Sequence, residues 1–232
     1  GFSTKWYGRL FQNEAFLDAA WVTIKVGLLS SCLATVLGTM AAYVLVRGGR
    51  FRGRVLFSGM IYAPLVMPEV ITGLSLLLLF IGIGLDRGVL TIILAHTTFS
   101  MCYVSVVVSA RLVSFDHSLE EAALDLGCSS LEAFRLVTLP IIAPAVISGW
   151  LLAFTLSLDD LVIASFTAGP SATTLPIKIF SAVRLGVSPE INALSTLMIA
   201  VVTIGVISAS LMSKRANLRR HHEEQAAERG QD

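Results

Sequence analysis

The chain has 232 residues, of which 55% are hydrophobic and 14% are charged, and its formal net charge at pH 7 is +1. An ordinary soluble domain carries about 25% charged residues, so this chain has too few to cover a water-facing surface of its size. A mean hydropathy of +0.78 excludes intrinsic disorder, and the balanced charge gives no broad basic field for nucleic acid. Composition therefore predicts an integral membrane protein.

Five stretches are apolar enough to cross a bilayer. They are residues 26–46, 55–85, 88–110, 136–158 and 191–213. A spanning helix needs about 20 apolar residues, whereas a strand of a membrane barrel has about 9–11 and alternates in polarity. The pattern predicts an all-α, polytopic transmembrane helical bundle with about five spans, forming a single domain over residues 1–232.

Lysine and arginine are distributed unequally between the two sides. If the four-arginine loop 47–54 is cytoplasmic, alternation of the spans places eleven basic residues on that side and five on the other, with Lys25 near a membrane entry. The positive-inside rule then puts the N-terminus outside and the polar tail 214–232 in the cytoplasm. Because the first residues supply neither a signal sequence nor a span, we expect a further span upstream.

The tail contains the pair His221 and His222. We interpret this pair as part of a solvated chain end rather than as a metal site.

The segment 114–140 is too long for a simple connection between spans. Two pairs have the spacing of a capping box: Ser118 with Glu121, and Ser129 with Glu132. Gly127 lies where a helix end favours a left-handed residue, and Pro140 is expected to end the second element. The segment therefore predicts a helix, a glycine turn and a second helix at the membrane face.

The first of these helices has an apolar face and an acidic remainder. The apolar face, at positions i, i+3, i+4 and i+7, consists of Leu119, Ala122, Ala123 and Leu126. The acidic residues are Glu120, Glu121 and Asp125. Helices that rest on lipid headgroups are usually rich in lysine and arginine, so we expect this one to dock to a protein.

The same segment carries a recognisable motif. The motif begins with Glu121-Ala122-Ala123, has three intervening residues before Gly127 and nine more before Val137-X-Leu139-Pro140, and resembles the EAA loop of ATP-binding-cassette (ABC) importer permeases. The family favours Ile at the position of Val137. Residues 63–73 and 157–166 resemble the spermidine/putrescine branch, most closely the putrescine permease type. The similarity extends from about residue 6 to residue 213.

This resemblance implies a bundle of the type I ABC importer permease, which has six spans and so agrees with an upstream span. The residues that would couple the chain to a cytoplasmic ABC ATPase dimer are Glu121, Ala122, Ala123, Gly127, Leu139 and Pro140. Further implied partners are a second permease subunit of different sequence, a periplasmic polyamine-binding protein and the lipids of the bacterial inner membrane. The chain has no phosphate-binding loop and needs no cofactor of its own, so ATP and magnesium belong to the ATPase.

Three carboxylates lie in or beside apolar stretches: Glu69, Asp159 and Asp160. A carboxylate at the bilayer centre costs about 2.5–3.5 kcal/mol, so it normally faces a cavity or a partner. On straight helices, Glu69 lies about 21 Å from Val55 and Asp159 about 22 Å from Pro144, which places both in the outer half of the membrane. We expect Glu69 and one of the two aspartates to line a path for a di- or polyammonium solute.

Tyr62 and Trp150 are candidates for cation–π contacts along this path. Adjacent helical residues point about 100° apart, so Asp159 and Asp160 do not both face one lumen. The other aspartate then caps loop backbone or pairs with a basic residue such as Arg184. The alternative is that all three carboxylates only anchor helices at the outer interface.

Other residues have structural interpretations. We expect close helix packing at Gly27, Gly38, Gly59, Gly73 and the pair Ala41–Ala42. His96 is interpreted as a helix–helix hydrogen bond rather than a proton relay. The loop 167–176 reads as an irregular external turn that a soluble substrate-delivery protein could contact.

Two other functions compete with an importer permease that transports a polyamine and couples to an ATPase. A stand-alone secondary transporter or channel for a small cation suits Glu69 and His96, but the paired internal repeats typical of such folds are not found. An intramembrane aspartyl protease needs two carboxylates that meet across a site, whereas Asp159 and Asp160 are consecutive and diverge. We therefore expect a transport subunit that is not itself an enzyme.

Overall fold

The computed structural model describes residues 5–170, 172–186, 189, 191–196, 200 and 203. The helices with defined bounds are α1 (Lys5–Gln12), α2 (Glu14–Arg47), α3 (Arg54–Val66), α4 (Glu69–Gly82), α5 (Val89–Ser114), α6 (Ser118–Asp125), α7 (Ser130–Ala133), α8 (Leu139–Asp159), α9 (Val162–Thr167) and α10 (Leu175–Leu185). A π-helix, Phe134–Thr138, joins α7 to α8. The described residues contain no strand.

The chain divides into two compact units. Residues 15–180 form one unit, which holds nearly all of α2 and everything through α9. The other unit combines residues 1–14 with 181–232 and includes α1. Residues 191–196 within it are helical.

Four of the five predicted spans are present among the described residues. Three helical segments are long and apolar enough to cross a membrane: Glu14–Arg47, Val89–Ser114 and Ser130–Asp159. A fourth crossing is a bent pair, Arg54–Val66 with Glu69–Gly82. The fifth stretch, 191–213, lies largely outside the described residues, as do His221 and His222.

The first span is longer than its apolar stretch predicts. Helix α2 begins at Glu14 rather than near residue 26 and has 34 residues, a length of about 51 Å. It therefore carries Asp18 and Lys25 within the helix. A charged residue is costly to bury in lipid, but it does not end a helix. For this reason the number of residues between charges underestimated the length of α2.

The second span is broken. Helices α3 and α4 are bent by 119° at Met67 and Pro68. Met67 has extended backbone angles (φ −76°, ψ 139°), as expected for a residue that precedes a proline. Because α4 starts at Glu69 after this bend, the straight helix assumed in calculating the depth of Glu69 is not present.

Close packing of α2, α5 and α8 forms the core of the bundle. Its buried residues are Ala34, Ala42, Val104, Val108, Leu112, Ile142 and Ala153. A Cβ on Gly38 would lie 2.7 Å from the Met101 carbonyl oxygen, so only glycine allows this approach of α2 to α5. Gly59 was wrongly predicted to pack in the same way, because no described atom lies within 4 Å of a Cβ built there.

One end of the bundle gathers several basic segments. The Arg47 guanidinium donates to the carbonyl oxygen of Phe115 (3.1 Å), and Arg54 donates to that of Leu45 (2.7 Å). These contacts bring the ends of α2 and α5 and the start of α3 together. We call this the basic end; it combines the loop 47–54 with the segment 114–140, as the predicted alternation of spans requires.

The opposite end is tied by the segment between α9 and α10. Thr91 Oγ1 lies 2.8 Å from the Thr167 carbonyl oxygen, and the Leu175 amide donates to Thr23 Oγ1 (2.7 Å). A Cβ on Gly169 would overlap the carbonyl oxygen of Arg87. The predicted irregular turn is therefore present, but it is fastened to α2 and to the residues that precede α5.

Candidate functional site

Helix α6, in the segment predicted to dock, begins differently from the prediction. The capping box of Ser118 with Glu121 does not form; Glu121 Oε1 lies 2.9 Å from His117 Nδ1 instead. Asp116 Oδ1 accepts the Ser118 amide hydrogen bond (3.0 Å), and this bond holds the pKa of the Asp116 carboxyl below its usual value. The Ser118 amide therefore donates to Asp116, two residues upstream, instead of to Glu121.

The end of α6 follows the glycine prediction. Gly127 has φ +93°, in the left-handed region. Its amide donates to the Leu124 carbonyl oxygen (2.9 Å), and the Cys128 amide donates to that of Ala123 (3.1 Å). These two bonds are those of a Schellman motif, in which glycine is favoured because a side chain would strain the backbone. The predicted glycine turn is confirmed.

Helix α7 has the second predicted capping box. The Glu132 amide donates to Ser129 Oγ (3.4 Å), while the Ser129 amide donates to Glu132 Oε2 (2.7 Å). This reciprocal pair satisfies the first amides of α7 and fixes where the second helix starts.

Pro140 does not end the second helix, contrary to the prediction. The helix continues from α7 through Phe134–Thr138 into α8, and Pro140 lies in the first turn of α8. The Leu139 amide donates to the Phe134 carbonyl oxygen, five residues earlier. The wider π turn accommodates the missing proline amide, so the docking segment and the fourth span, which contains α8, form one connected helix.

The predicted apolar face of α6 is divided. Ala123 is buried, whereas Leu119, Ala122 and Leu126 are exposed, Leu126 with 87% of its surface accessible. Exposed leucines on a short helix at the basic end form an apolar surface that none of the described residues covers. An exposed apolar surface of this kind is expected on a helix that docks to another protein.

The opposite side of α6 is held by Glu120, whose side chain is only 6% exposed. Its carboxylate lies 3.3 Å from Arg47 Nε and 3.3 Å from His117 Nε2, and it accepts the Thr138 hydroxyl (2.5 Å). Glu121, by contrast, is 64% exposed. Glu121 was predicted to take part in coupling, and Glu120 was not. No signal in the sequence separates the two, because the burial of Glu120 depends on Arg47 and Thr138, which lie in distant segments.

Two of the carboxylates predicted to line the path are exposed and lie at helix breaks. Glu69 is the first residue of α4, directly after the break at Met67 and Pro68. Asp159 is the last residue of α8, directly before the break that separates α8 from α9. The helices that follow these breaks pack together, since a Cβ on Gly73 would contact Ile163 Cα at 3.3 Å.

Asp160 has a different environment. Its carboxylate accepts the amides of Ile163 (3.3 Å) and Ala164 (2.7 Å), which start α9. Oδ2 also lies 3.1 Å from His96 Nε2. The second aspartate was expected either to cap loop backbone or to pair with a basic residue such as Arg184. In the structure Asp160 caps the start of α9, and the basic side chain beside it is His96.

His96 is 2% exposed and links three helices. Its Nδ1 lies 2.6 Å from Ser157 Oγ, and the Ser30 hydroxyl donates to Ser157 Oγ (3.1 Å). The predicted helix–helix hydrogen bond is confirmed.

The two aromatic candidates lie in different surroundings. Tyr62 is half-buried against the cluster of Ala41, Leu45 and Ile61. Trp150 is also half-buried and stacks on Phe154, with ring centroids 5.4 Å apart. Within the described part of the chain, no group of three or more His, Cys, Asp or Glu side chains could hold a metal ion.

Known sequences match this chain over most of its length. It is 56% identical over 237 residues to the putrescine transport system permease protein PotI of Escherichia coli, covering 99% of this chain and 84% of the relative. It is 43% identical over 217 residues to the spermidine/putrescine transport system permease protein PotC of Haemophilus influenzae, covering 94% and 84%.

Solved structures share the fold. The chain of an amino acid ABC transporter superposes with a TM-score of 0.65 at 17% identity, over 92% of this chain and all of that one. The methionine transporter MetNI superposes with a TM-score of 0.69 at 16% identity, over 82% and 90%. The family model for the binding-protein-dependent transport system inner membrane component matches residues 34–221. The chain belongs to this family of inner-membrane transport components.

Proposed function

We propose that this chain is the permease subunit of an ATP-driven importer of polyamine cations. In this function the bundle forms part of the translocation path, and α6 receives motion from a cytoplasmic ATPase that this chain lacks. The observation that carries the proposal is the uncovered apolar surface of α6, namely Leu119, Ala122 and Leu126, at the basic end of the bundle.

The sequence of the α6 segment supports an ATPase as the protein that covers this surface. Glu121, Ala122, Ala123 and Gly127 match the EAA loop, and the Schellman turn at Gly127 holds the helix end in place. Leu139 and Pro140 lie where the segment joins α8, in the fourth span. We therefore assign the coupling role to these residues, with ATP and magnesium bound by the ATPase pair.

The helix breaks support a path for cations. Irregular backbone at membrane depth occurs where it lines a cavity or is buried in protein. Helices α3 and α8 both end at such breaks, and a helix C-terminus carries partial negative charge. Each break has an exposed carboxylate beside it, Glu69 or Asp159. Together these groups can replace part of the hydration of an ammonium solute.

The relatives support polyamines as the solute class. The two relatives described above are named as putrescine and spermidine/putrescine permeases. Their identity to this chain is high enough to favour the same class of solute. A stand-alone secondary transporter remains a weaker proposal, since it gives the exposed surface of α6 no partner.

The remaining partners follow from the same proposal. A second permease subunit of different sequence completes the path, and a soluble polyamine-binding protein delivers solute at the end opposite α6. The excess of basic residues favours a cytoplasmic basic end and C-terminus. ATP-driven closure of the ATPase pair would move the docked helices, so that the spans rock and the path opens outward.

A purification tests the proposal. The chain is co-expressed with its candidate ATPase, second permease and binding protein, purified in detergent, and assayed for ATP hydrolysis with putrescine, spermidine and lysine as probes. We expect co-purification of the ATPase and stimulation of hydrolysis by loaded binding protein with the polyamines. Uptake of putrescine by liposomes that contain this chain alone would contradict the proposal.

A further inference from the structure

The buried Glu120 lies where α6 contacts the rest of the bundle. One oxygen of its carboxylate faces Arg47, the last residue of α2, and the other accepts the hydroxyl of Thr138, which immediately precedes α8. His117 closes the third side from the turn before α6. A single side chain on α6 thus contacts the ends of two membrane-spanning helices.

Arg47 extends this connection to a third span. Its Nη2 donates to the carbonyl oxygen of Phe115 (3.1 Å), and its guanidinium lies 5.4 Å from the centroid of the Phe115 ring. Phe115 is the residue directly after α5. The Arg47–Glu120 pair therefore links α6 to the ends of α2, α5 and α8.

The surroundings of the pair are otherwise loosely filled. A cavity of about 200 Å³ lies between α6 and the end of α2, lined by Tyr43, Arg47, His117, Glu120 and Ser130 among others. Apolar packing between α6 and α2 is incomplete at this point. The polar contacts of Glu120 thus carry much of the connection on this side of α6.

The two adjacent glutamates differ in exposure, although both contact His117. The side chain of Glu121 is 64% exposed, while that of Glu120 is buried against the ends of the spans. A force that a partner protein applies to α6 reaches the spans through side chains that contact both α6 and the spans. Glu120 meets this requirement, because its ion pair with Arg47 and its hydrogen bond from Thr138 join α6 to the ends of α2 and α8, and Arg47 in turn contacts Phe115 directly after α5.

We propose that Glu120, paired with Arg47, is a positioning residue that transmits the motion of α6 to α2, α5 and α8. The inference rests on the proposed function, because it assumes that an ATPase moves α6. It assigns the transmission step to a residue outside the EAA motif, whereas Glu121 and its neighbours contact the ATPase.

The experiment measures coupling rather than activity alone. The complete transporter with its ATPase, second permease and binding protein is reconstituted in liposomes, and putrescine transported per ATP hydrolysed is measured for the wild type, E120Q, R47Q and the double variant. Arg54→Gln is the matched control, since Arg54 also lies near the end of α2 but donates to Gly49 and Leu45 rather than to α6.

We expect E120Q and R47Q to retain bound ATPase and to lower the transport-to-hydrolysis ratio by roughly threefold or more. The double variant should be no worse than either single one, because both remove the same link. Arg54→Gln should keep the wild-type ratio. Mere loss of folded complex would lower transport and hydrolysis together and leave the ratio unchanged.

Three results would overturn the inference. These are a wild-type ratio in E120Q, loss of ATPase binding in E120Q, which would give Glu120 a role in docking, and an equal fall in the Arg54→Gln control. If E120Q does not assemble, Thr138→Val decides, since it removes one hydrogen bond and keeps the shape; an unchanged ratio there also contradicts the inference. Failure of the proposed function is distinguishable, because the wild type would then bind no ATPase.

Discussion

His96 Nε2 lies 3.1 Å from Asp160 Oδ2, so a buried histidine of α5 meets the carboxylate that caps α9. The pair fixes the backbone directly after Asp159. The carboxylate of Asp159 itself is exposed. The two consecutive aspartates therefore differ in environment: Asp160 holds the break between α8 and α9, and the exposed Asp159 is the one proposed to line the path.

Asp160→Ala should destabilise the bundle. The substitution removes the acceptor for the amides of Ile163 and Ala164 and leaves His96 without its carboxylate, at an expected cost of about 2 kcal/mol or more. Thermal unfolding of the purified complex in detergent measures the loss. The matched control is Asp159→Ala, which should change stability by less than about 0.5 kcal/mol. Equal destabilisation by both variants would contradict the division of roles.

Glu69→Gln and Asp159→Asn, made singly, should reduce polyamine uptake while the complex still assembles. Each removes one negative charge beside a helix break, and a loss of about 1.4 kcal/mol in the transport barrier corresponds to roughly tenfold in rate. Uptake of radiolabelled putrescine by cells, normalised to the amount of assembled transporter, is the measurement. Full uptake in both variants would rule out this path.

Gly127→Ala should weaken ATPase binding. Alanine disfavours the left-handed backbone at φ +93° by about 1–2 kcal/mol, so the Schellman turn at the end of α6 would loosen. Gly127→Asn is the control, since asparagine tolerates this conformation better. Co-purification of the ATPase reports the effect. Retention of the ATPase at wild-type levels by Gly127→Ala would show that the turn is not needed for docking.

Gly38→Ala should destabilise the bundle by about 1–3 kcal/mol, because its Cβ would approach Val104 Cβ to 2.8 Å and the helices would have to separate. Gly59→Ala has the opposite expectation. Gly59 is exposed within α3, and alanine there should be neutral or stabilising by up to about 1 kcal/mol. Detergent unfolding temperatures of the two variants test both statements. The same shift in both would mean that the α2–α5 contact is not decisive.

Signals that act over a few residues were readable in the sequence. The spacing of Ser129 and Glu132 predicted a capping box, and Gly127 predicted a left-handed turn, because each depends only on neighbouring backbone. The apolar stretches likewise predicted four spans present in the structure, since the length needed to cross lipid is fixed by the bilayer. Such features need no knowledge of the tertiary contacts.

Features that depend on contacts between distant segments could not be predicted. Glu120 and Glu121 look alike in the sequence, and only the positions of Arg47 and Thr138 make one of them buried. Asp160 and Asp159 differ for the same reason, through His96. Pro68 and Pro140 illustrate a further limit. One proline breaks a span and the other does not, because a π-helix precedes Pro140.

The π-helix Phe134–Thr138 lies between the exposed leucines of α6 and the membrane-spanning helix α8. If these five residues adopted ordinary α-helical winding without any change in their number, everything before them would rotate by about 100° about the axis of α8. The leucines of α6 would then face a different direction, although every side chain of the motif were retained. The hydrogen-bonding pattern of these five residues, and not only the side chains of the motif, therefore sets the direction in which α6 faces.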